Sequence, residues 1–293
     1  MNGKELDAVM ALSFAFPRGS ALLEEALGTG NDICRIADDI VRGTLKVPGQ
    51  IVSELKATDY EGLHDIQNYC TNTGVRIMTR FDEDFPASLK ELDCPPLVLY
   101  CMGDPGALSC EKSLAMVGAR KADEYSVKTA ERLSYELTRE GYTIISGFAN
   151  GIDTAAHRGA LNAGGKTVAV LGCGAHYDYP RGKFELKKAI ANSGAVISEY
   201  PPLEKPYPDY FLVRNRMIAG LSQGTLVVQA NEISGSLNTA GHALEQGKEV
   251  FALPPADIFS DKYSGQKSLL IDGAVPVYSY KSITSVLENG RSY

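Results

Sequence analysis

The stretch LAMVGARKADEYSVKTAERL, Leu114 to Leu133, decides the fold. Four apolar residues, Leu114 to Val117, run into Gly118, and a segment with helical spacing follows, as at the opening of a nucleotide-binding α/β unit. The glycine fingerprint of a dinucleotide site is missing, however. Gly118 is followed by Arg120 and Lys121, and the next glycine is Gly141. A pyrophosphate needs backbone to approach it closely, whereas a chain of phosphates crossing a rim is held by side chains. Arg120 therefore reads as a phosphate clamp, and Lys121 as a weaker one.

Outward from this unit the chain alternates. The runs YTIISG (142–147), KTVAVLG (166–172), GAVISEY (194–200), GTLVVQA (224–230) and KEVFALP (248–254) are separated by segments with helical pattern. Unbroken apolar runs are the mark of parallel strands buried on both faces, and crossovers of this length need helices. The pattern predicts an α/β fold, a doubly wound Rossmann-like parallel sheet over residues 111–293. Residues 76–110, with VRIMTR, PLVLYCMG and the loop FDEDFPASLKELDCPP between them, read as connecting strands and loop. Residues 1–75 read as a small all-helical domain of the SAM or helix-hairpin-helix kind. Five short amphipathic runs carry that reading, among them SALLEEALG with a candidate cap at Ser20, and NDICRIADDIVRG with apolar positions 33, 36, 37, 40 and 41.

In an open α/β sheet ligands bind beyond the carboxyl ends of the strands, so the strand-end loops carry the functional reading. They hold small residues, hydroxyls and scattered cations, Lys205 among them. Ser146, Gly147 and Gly151 would let backbone N–H groups approach an anion at the start of a helix near Asp153. Ser234, Gly235 and Ser236 repeat that arrangement, either as ordinary N-capping or as a phosphate cradle, and two such loops at one sheet edge favour phosphate. In FLVRNR, Phe211 offers a ring for stacking, and Arg214 and Arg216 flank Asn215. At least one of the two arginines is expected to be structural, with Asp153 or Glu199 as its partner.

Net charge is −7, which on its face argues against a polyanion. The acidity is uneven: residues 1–110 hold 9 Lys and Arg against 17 Asp and Glu, and residues 111–293 hold 20 against 19. Local field, screened over about 8–10 Å at physiological salt, attracts a strand, so the total does not decide. The longest charge-free run, Met217 to Asn231, contains Ser, Gln, Thr and Gly and cannot span a bilayer. The N-terminus does not fit a secretory signal, and a cytoplasmic location is expected. Six cysteines without a C-x-x-C pair, and the isolated His64 and His242, suggest no metal site. Ser146, His157 and Asp153 are the residue types of a triad, but no G-x-S-x-G elbow places them, and no G-x-x-x-x-G-K-[ST] is present. No catalytic residues and no cofactor are expected.

Taken together, MVGARKADEYSVKTA, IISGFANGIDTAAHRGALNAGGKTVAVLGCGAHYDYP, GAVISEYPP, FLVRNRMIAGLSQGTLVVQA and SGSLNTAGHALEQGKEVFALP resemble the DNA-processing DprA (Smf) family. GQKSLLIDGA is similar to that family's closing segment, so the resemblance covers roughly residues 80–275. It implies a Rossmann-like domain that binds single-stranded DNA, forms a homodimer and loads the recombinase RecA during natural transformation. By position it gives Arg120 a phosphate, sets Phe211 in the groove with Arg214 and Arg216 at its base, and assigns backbone donors to Gly147, Gly151 and Gly235. The C-terminal winged helix common in the family is expected to be absent. The sequence departs from the family pattern at Asn150, usually arginine, at Gln229, usually glutamate, at Asn238, usually aliphatic, and at Pro255, usually glycine. An alternative is a phosphoribohydrolase of the lysine-decarboxylase-like group. Here SQGTLVVQANEISGS lacks that group's paired glycines, and Glu232 is the nearest candidate base.

Overall fold

The computed structural model describes residues 1–16, 21–28 and 32–289. Helix α1 (Gly3–Ala15) starts on a capping box, with the Asn2 side chain accepting from the Glu5 N–H and the Glu5 carboxylate accepting from the Asn2 N–H. Helix α2 (Ala21–Gly28) follows, and the cap expected at Ser20 lies outside the described residues. Helices α3 (Ile33–Arg42) and α5 (Tyr60–Thr73) are capped by Asp32 and Asp59 and stop at left-handed Gly43 and Gly74, with α4 (Gly49–Lys56) between them. Their apolar faces, Leu12, Leu23, Ile36, Ile40 and Leu63 among them, converge on one core.

That core is completed by the sheet. Residues 76–110 form strand β1 (Arg76–Thr79), the short helix α6 (Ala87–Lys90) and strand β2 (Val98–Gly103). Val98 and Tyr100 of β2 pack into the helical front, while Leu99 and Cys101, on the opposite face, join the core of the main sheet. The stretch read from sequence as a connection thus supplies the edge of the sheet.

The remaining chain alternates as expected: β3 (Ser113–Val117), α7 (Glu124–Arg139), β4 (Thr143–Ser146), α8 (Ile152–Asn162), β5 (Thr167–Leu171), α9 (Phe184–Ser193), β6 (Ala195–Ser198), α10 (Pro208–Gly220), β7 (Gly224–Val227), α11 (Gly235–Glu245), β8 (Glu249–Ala252), α12 (Ser264–Ile271), β9 (Val275–Pro276) and α13 (Tyr280–Asn289). Strands β3 to β7 are buried along their whole length, which is why they read as continuous apolar runs. Strand β9 has no such signature, since it is two residues long and one of them is proline.

The nine strands make one sheet in the order β1-β2-β6-β5-β4-β3-β7-β8-β9. All pairings from β6 to β9 are parallel, and the β1–β2 and β2–β6 pairings are antiparallel. The chain winds outward from β3 through β4 and β5 to β6, then crosses back to lay β7 on the other side of β3. Loops leaving β3 and β7 therefore diverge to opposite faces and leave a crevice between them. No helix among the described residues is long and apolar enough to cross a membrane.

Candidate nucleic-acid interface

The crevice is an open groove of about 550 Å³ at the carboxyl ends of β3 and β7. Gly118, Arg120 and Lys121 enter it from the β3–α7 turn, Phe211, Arg214 and Asn215 from α10, and Ser234, Gly235 and Ser236 from the start of α11. The Arg120 guanidinium lies 5.4 Å from the centre of the Phe211 ring, and that ring leans on Tyr179 at 5.5 Å. Arg120 and Lys121 are exposed, and neither has a carboxylate of the described residues within salt-bridge distance. At α11, the Ser234 hydroxyl accepts from the Ser236 N–H at 3.4 Å and lies 2.7 Å from the Ser236 hydroxyl. Both hydroxyls thus serve the helix end, and open space lies over Gly235, where the positive end of the helix faces the groove.

Arg214 lines the groove but is committed beneath it. It is 5% exposed, and its Nη1 donates to the carbonyls of Gly147, at 2.8 Å, and Val170, while its Nε donates to Asn215 Oδ1 at 3.1 Å. Buried Asp153 faces it. Burial pushes the Arg214 guanidinium down, to about 10, and the Asp153 carboxyl up, while their mutual attraction opposes both shifts. The guanidinium remains charged at neutral pH. Asn215 donates to the Gly235 carbonyl at 3.2 Å and to Asn238 Oδ1 at 3.0 Å, so the departure at Asn238 supplies a polar partner that ties α10 to α11.

Five residues expected at the site do not line the groove. Arg216 lies two positions after Arg214 on α10, roughly 200° around the helix, and therefore points away. It forks onto Glu199 with two bonds of 2.6 Å and reaches the Cys94 carbonyl at 3.1 Å. Ser146 is wholly buried and donates to the Met116 carbonyl at 2.6 Å, because it is the last residue of the buried strand β4. Gly147 makes room rather than offering a donor to the groove: a Cβ there would sit 2.7 Å from Arg214 Nη2 and 2.9 Å from Asp153 Oδ2. Gly151, at φ 75° and ψ −123°, presses against the β3–α7 turn, where a Cβ would meet the Ala119 carbonyl oxygen at 2.2 Å. Lys205 is exposed on the β6–α10 loop and does not line the groove.

Sequence reasoning missed three residues. Lys262, in the loop between β8 and α12, adds a cation to the far wall. Tyr179 supports Phe211 from the β5–α9 loop, and nothing in GCGAHYDYPRGK distinguishes it from its neighbouring tyrosine. Gln229, noted only as a departure, orders the clamp: its carbonyl accepts the Ala119 N–H at 2.8 Å and its Oε1 accepts the Asp123 N–H at 3.0 Å. As a neutral side chain it holds the turn without placing a carboxylate in the groove.

The three residue types of a triad do not assemble. His157 is fully buried and its Nδ1 lies 2.7 Å from Thr167 Oγ1. Since the Thr167 hydroxyl donates to the Ile144 carbonyl, Nδ1–H is the donor in that contact, and Nε2 is left bare in the core. Burial, helped by Lys183 and Arg214, holds the His157 pKa down at about 3. The unfolded chain therefore takes up a proton near pH 6.5 that the folded chain refuses until about pH 3, and stability falls as pH falls through that window. We predict that this group alone shifts the folding equilibrium toward the unfolded chain by up to about tenfold per pH unit below 6.5. Urea unfolding at pH 7 and pH 5 should show the excess loss in the wild type and not in His157→Asn; equal pH dependence in the two proteins would refute it. Glu232, the candidate base of the alternative reading, is exposed and outside the groove lining.

Residues 76–288 match the family described as DNA recombination-mediator protein A. The chain is 38% identical over 210 residues to the DNA processing protein DprA of Bacillus subtilis, covering 72% of this chain and 70% of that protein. It is 39% identical over 207 residues to DprA of Streptococcus pneumoniae, covering 71% and 72%. The crystal structure of S. pneumoniae DprA superposes with a TM-score of 0.83 at 29% identity, covering 100% of this chain and 99% of that one. DNA processing protein A of Helicobacter pylori, whose structure was described for its single-stranded DNA binding mode, gives 0.65 at 30% identity over 72% and 95%. With its fold and these relatives in agreement, the chain belongs to the DNA recombination-mediator protein A family, the DprA and Smf proteins.

Proposed function

We propose that this chain binds single-stranded DNA without base specificity in the groove between β3 and β7, and that it is a binding protein rather than an enzyme. The observation that carries the reading is the Arg120–Phe211 stack on the groove rim, an exposed cation beside a partly buried ring. Such a pair takes a phosphate on one side and the face of any base on the other. Lys121, Lys262 and the start of α11 extend the positive surface, and the H. pylori relative described for single-stranded DNA binding supports carrying that ligand to this chain. The finer part of the proposal is a homodimer that passes the bound strand to the recombinase RecA during DNA uptake, as the family resemblance implies.

The test is a titration of labelled single strand and duplex across a range of salt. Three exposed groove cations predict a slope of log K against log salt near roughly −2 for the single strand. Arg120→Ala should weaken every sequence alike, by roughly tenfold, and flatten the slope by about 0.7. Equal affinity for single strand and duplex, or a slope near zero, would overturn the reading.

A further inference from the structure

One face of α7 carries a pattern that the groove does not use. Tyr125, Lys128, Arg132, Tyr135 and Arg139 follow one another at spacings of three and four residues, and all five are exposed. At 3.6 residues per turn they fall within an arc of roughly 80° and extend about 21 Å along the helix. The inner face of the same helix is committed to the core through Ala130, Leu133 and Leu137. The row is continuous with the groove, since Lys121 lines the groove and stands just ahead of Asp123, the cap of α7. Halfway down, a shallow depression of about 300 Å³ opens between α7 and α8, walled by Lys128, Glu131, Arg132 and Tyr135 and floored by Gly159 and Asn162. Gly159 is where the two helices touch, as a Cβ there would meet the Glu131 carbonyl oxygen at 2.2 Å.

Aromatic rings interspersed with cations are the arrangement that holds a nucleic acid strand without reading its sequence: rings take base faces and cations take the phosphates between them. The acids on the helix are already engaged. Glu124 pairs with Lys128 at 2.6 Å, Glu136 with Arg132 at 3.0 Å, and Glu131 accepts from Asn162 at 3.0 Å. The two ion pairs are exposed contacts between residues four apart, weak enough for a phosphate to displace.

We propose that this face of α7 is a second track for single-stranded DNA, taking up the strand as it leaves the groove past Lys121. The proposal rests on the groove reading above. Its signature is a dependence on length. An oligonucleotide of about six residues fills the groove alone, and one of about 20 residues reaches the track as well. The wild type should hold the longer one more tightly than the count of groove registers explains. Tyr125→Ala with Tyr135→Ala should leave the short oligonucleotide unaffected and weaken the long one by roughly 10- to 100-fold. Lys128→Gln with Arg132→Gln should act in the same direction and flatten the salt dependence of the long one only.

Arg120→Ala separates the two claims. If it weakens both lengths while the tyrosine pair changes neither, the groove stands, the α7 face is a surface for some other partner, and the proposal is overturned. If Arg120→Ala changes neither length, the groove reading falls and the route from it falls too. Circular dichroism of the tyrosine variant, whose substituted side chains are exposed on a helix, should match the wild type.

Discussion

Replacing Arg214 with Met is expected to lower global stability by about 3–5 kcal/mol, the largest loss from any groove residue. The side chain is buried, donates to the Gly147 and Val170 carbonyls, and faces the buried Asp153 carboxylate. Its removal leaves a charge and two carbonyl oxygens without their partner under the groove floor, where little of their surface meets water, and that penalty exceeds the net worth of the bonds themselves. In thermal unfolding this corresponds to a fall of roughly 6–15 °C. Adding Asp153→Asn to Arg214→Met should recover part of the loss, because the uncompensated charge is then gone. A single variant as stable as the wild type, or a double variant that recovers nothing, would show that the two side chains are not energetically coupled. The result also bears on DNA binding, for an affinity lost with Arg214 under conditions of partial unfolding reports on the fold and not on a phosphate contact.

Gly151→Ala is expected to cost about 3 kcal/mol or more and to weaken single-stranded DNA binding together with stability. Two penalties coincide there. The backbone, at φ 75° and ψ −123°, lies in a region that only glycine enters without strain of about 1–3 kcal/mol. The added methyl would also overlap the Ala119 carbonyl oxygen at 2.2 Å, which forces the turn to shift at a further cost of about 1–3 kcal/mol. That turn bears Arg120, so the clamp moves away from Phe211 with it. Gly182→Ala is the matched control: φ is 77° and no atom lies within 4 Å of a built Cβ, so a loss of only about 1 kcal/mol and no change in DNA affinity are expected. Urea unfolding and oligonucleotide titration on the two variants distinguish overlap at the clamp from glycine strain in general. Similar losses in both would remove the special status of the Ala119 contact.

The strands were readable because burial on both faces forces unbroken apolar runs, and five of them are found within a residue or two of where the runs fall. The groove was readable in outline for a topological reason, since residues that follow β3 and β7 must meet at the crevice. Which cations are free was not readable. Arg214 and Arg216 are adjacent in the sequence pattern, yet the helix turns them to different sides, and each finds an acid contributed by another segment, Asp153 of α8 for the one and Glu199 after β6 for the other. The same holds for Ser146 and Gly147, whose small size signals close approach but not by what. Lys262 entered the groove unannounced because it follows β8, a strand whose neighbour in the sheet is known only once the order is known. The role of Gln229 required seeing Asp123 opposite it.

The alternation of Val98, Leu99, Tyr100 and Cys101 between two hydrophobic clusters has a consequence for how the protein comes apart. A domain joined by a tether can open while its neighbour stays closed, and amide exchange then divides at the tether. Here the border runs through the plane of a single strand. Lifting the helical front away would bare one side of β2 to water while its other side still belonged to the sheet, and β2 is the strand that bridges β1 to β6. The exchange-protected unit must therefore straddle residue 75, and slow amides in α1 and α3 should share their opening free energy with those of β2.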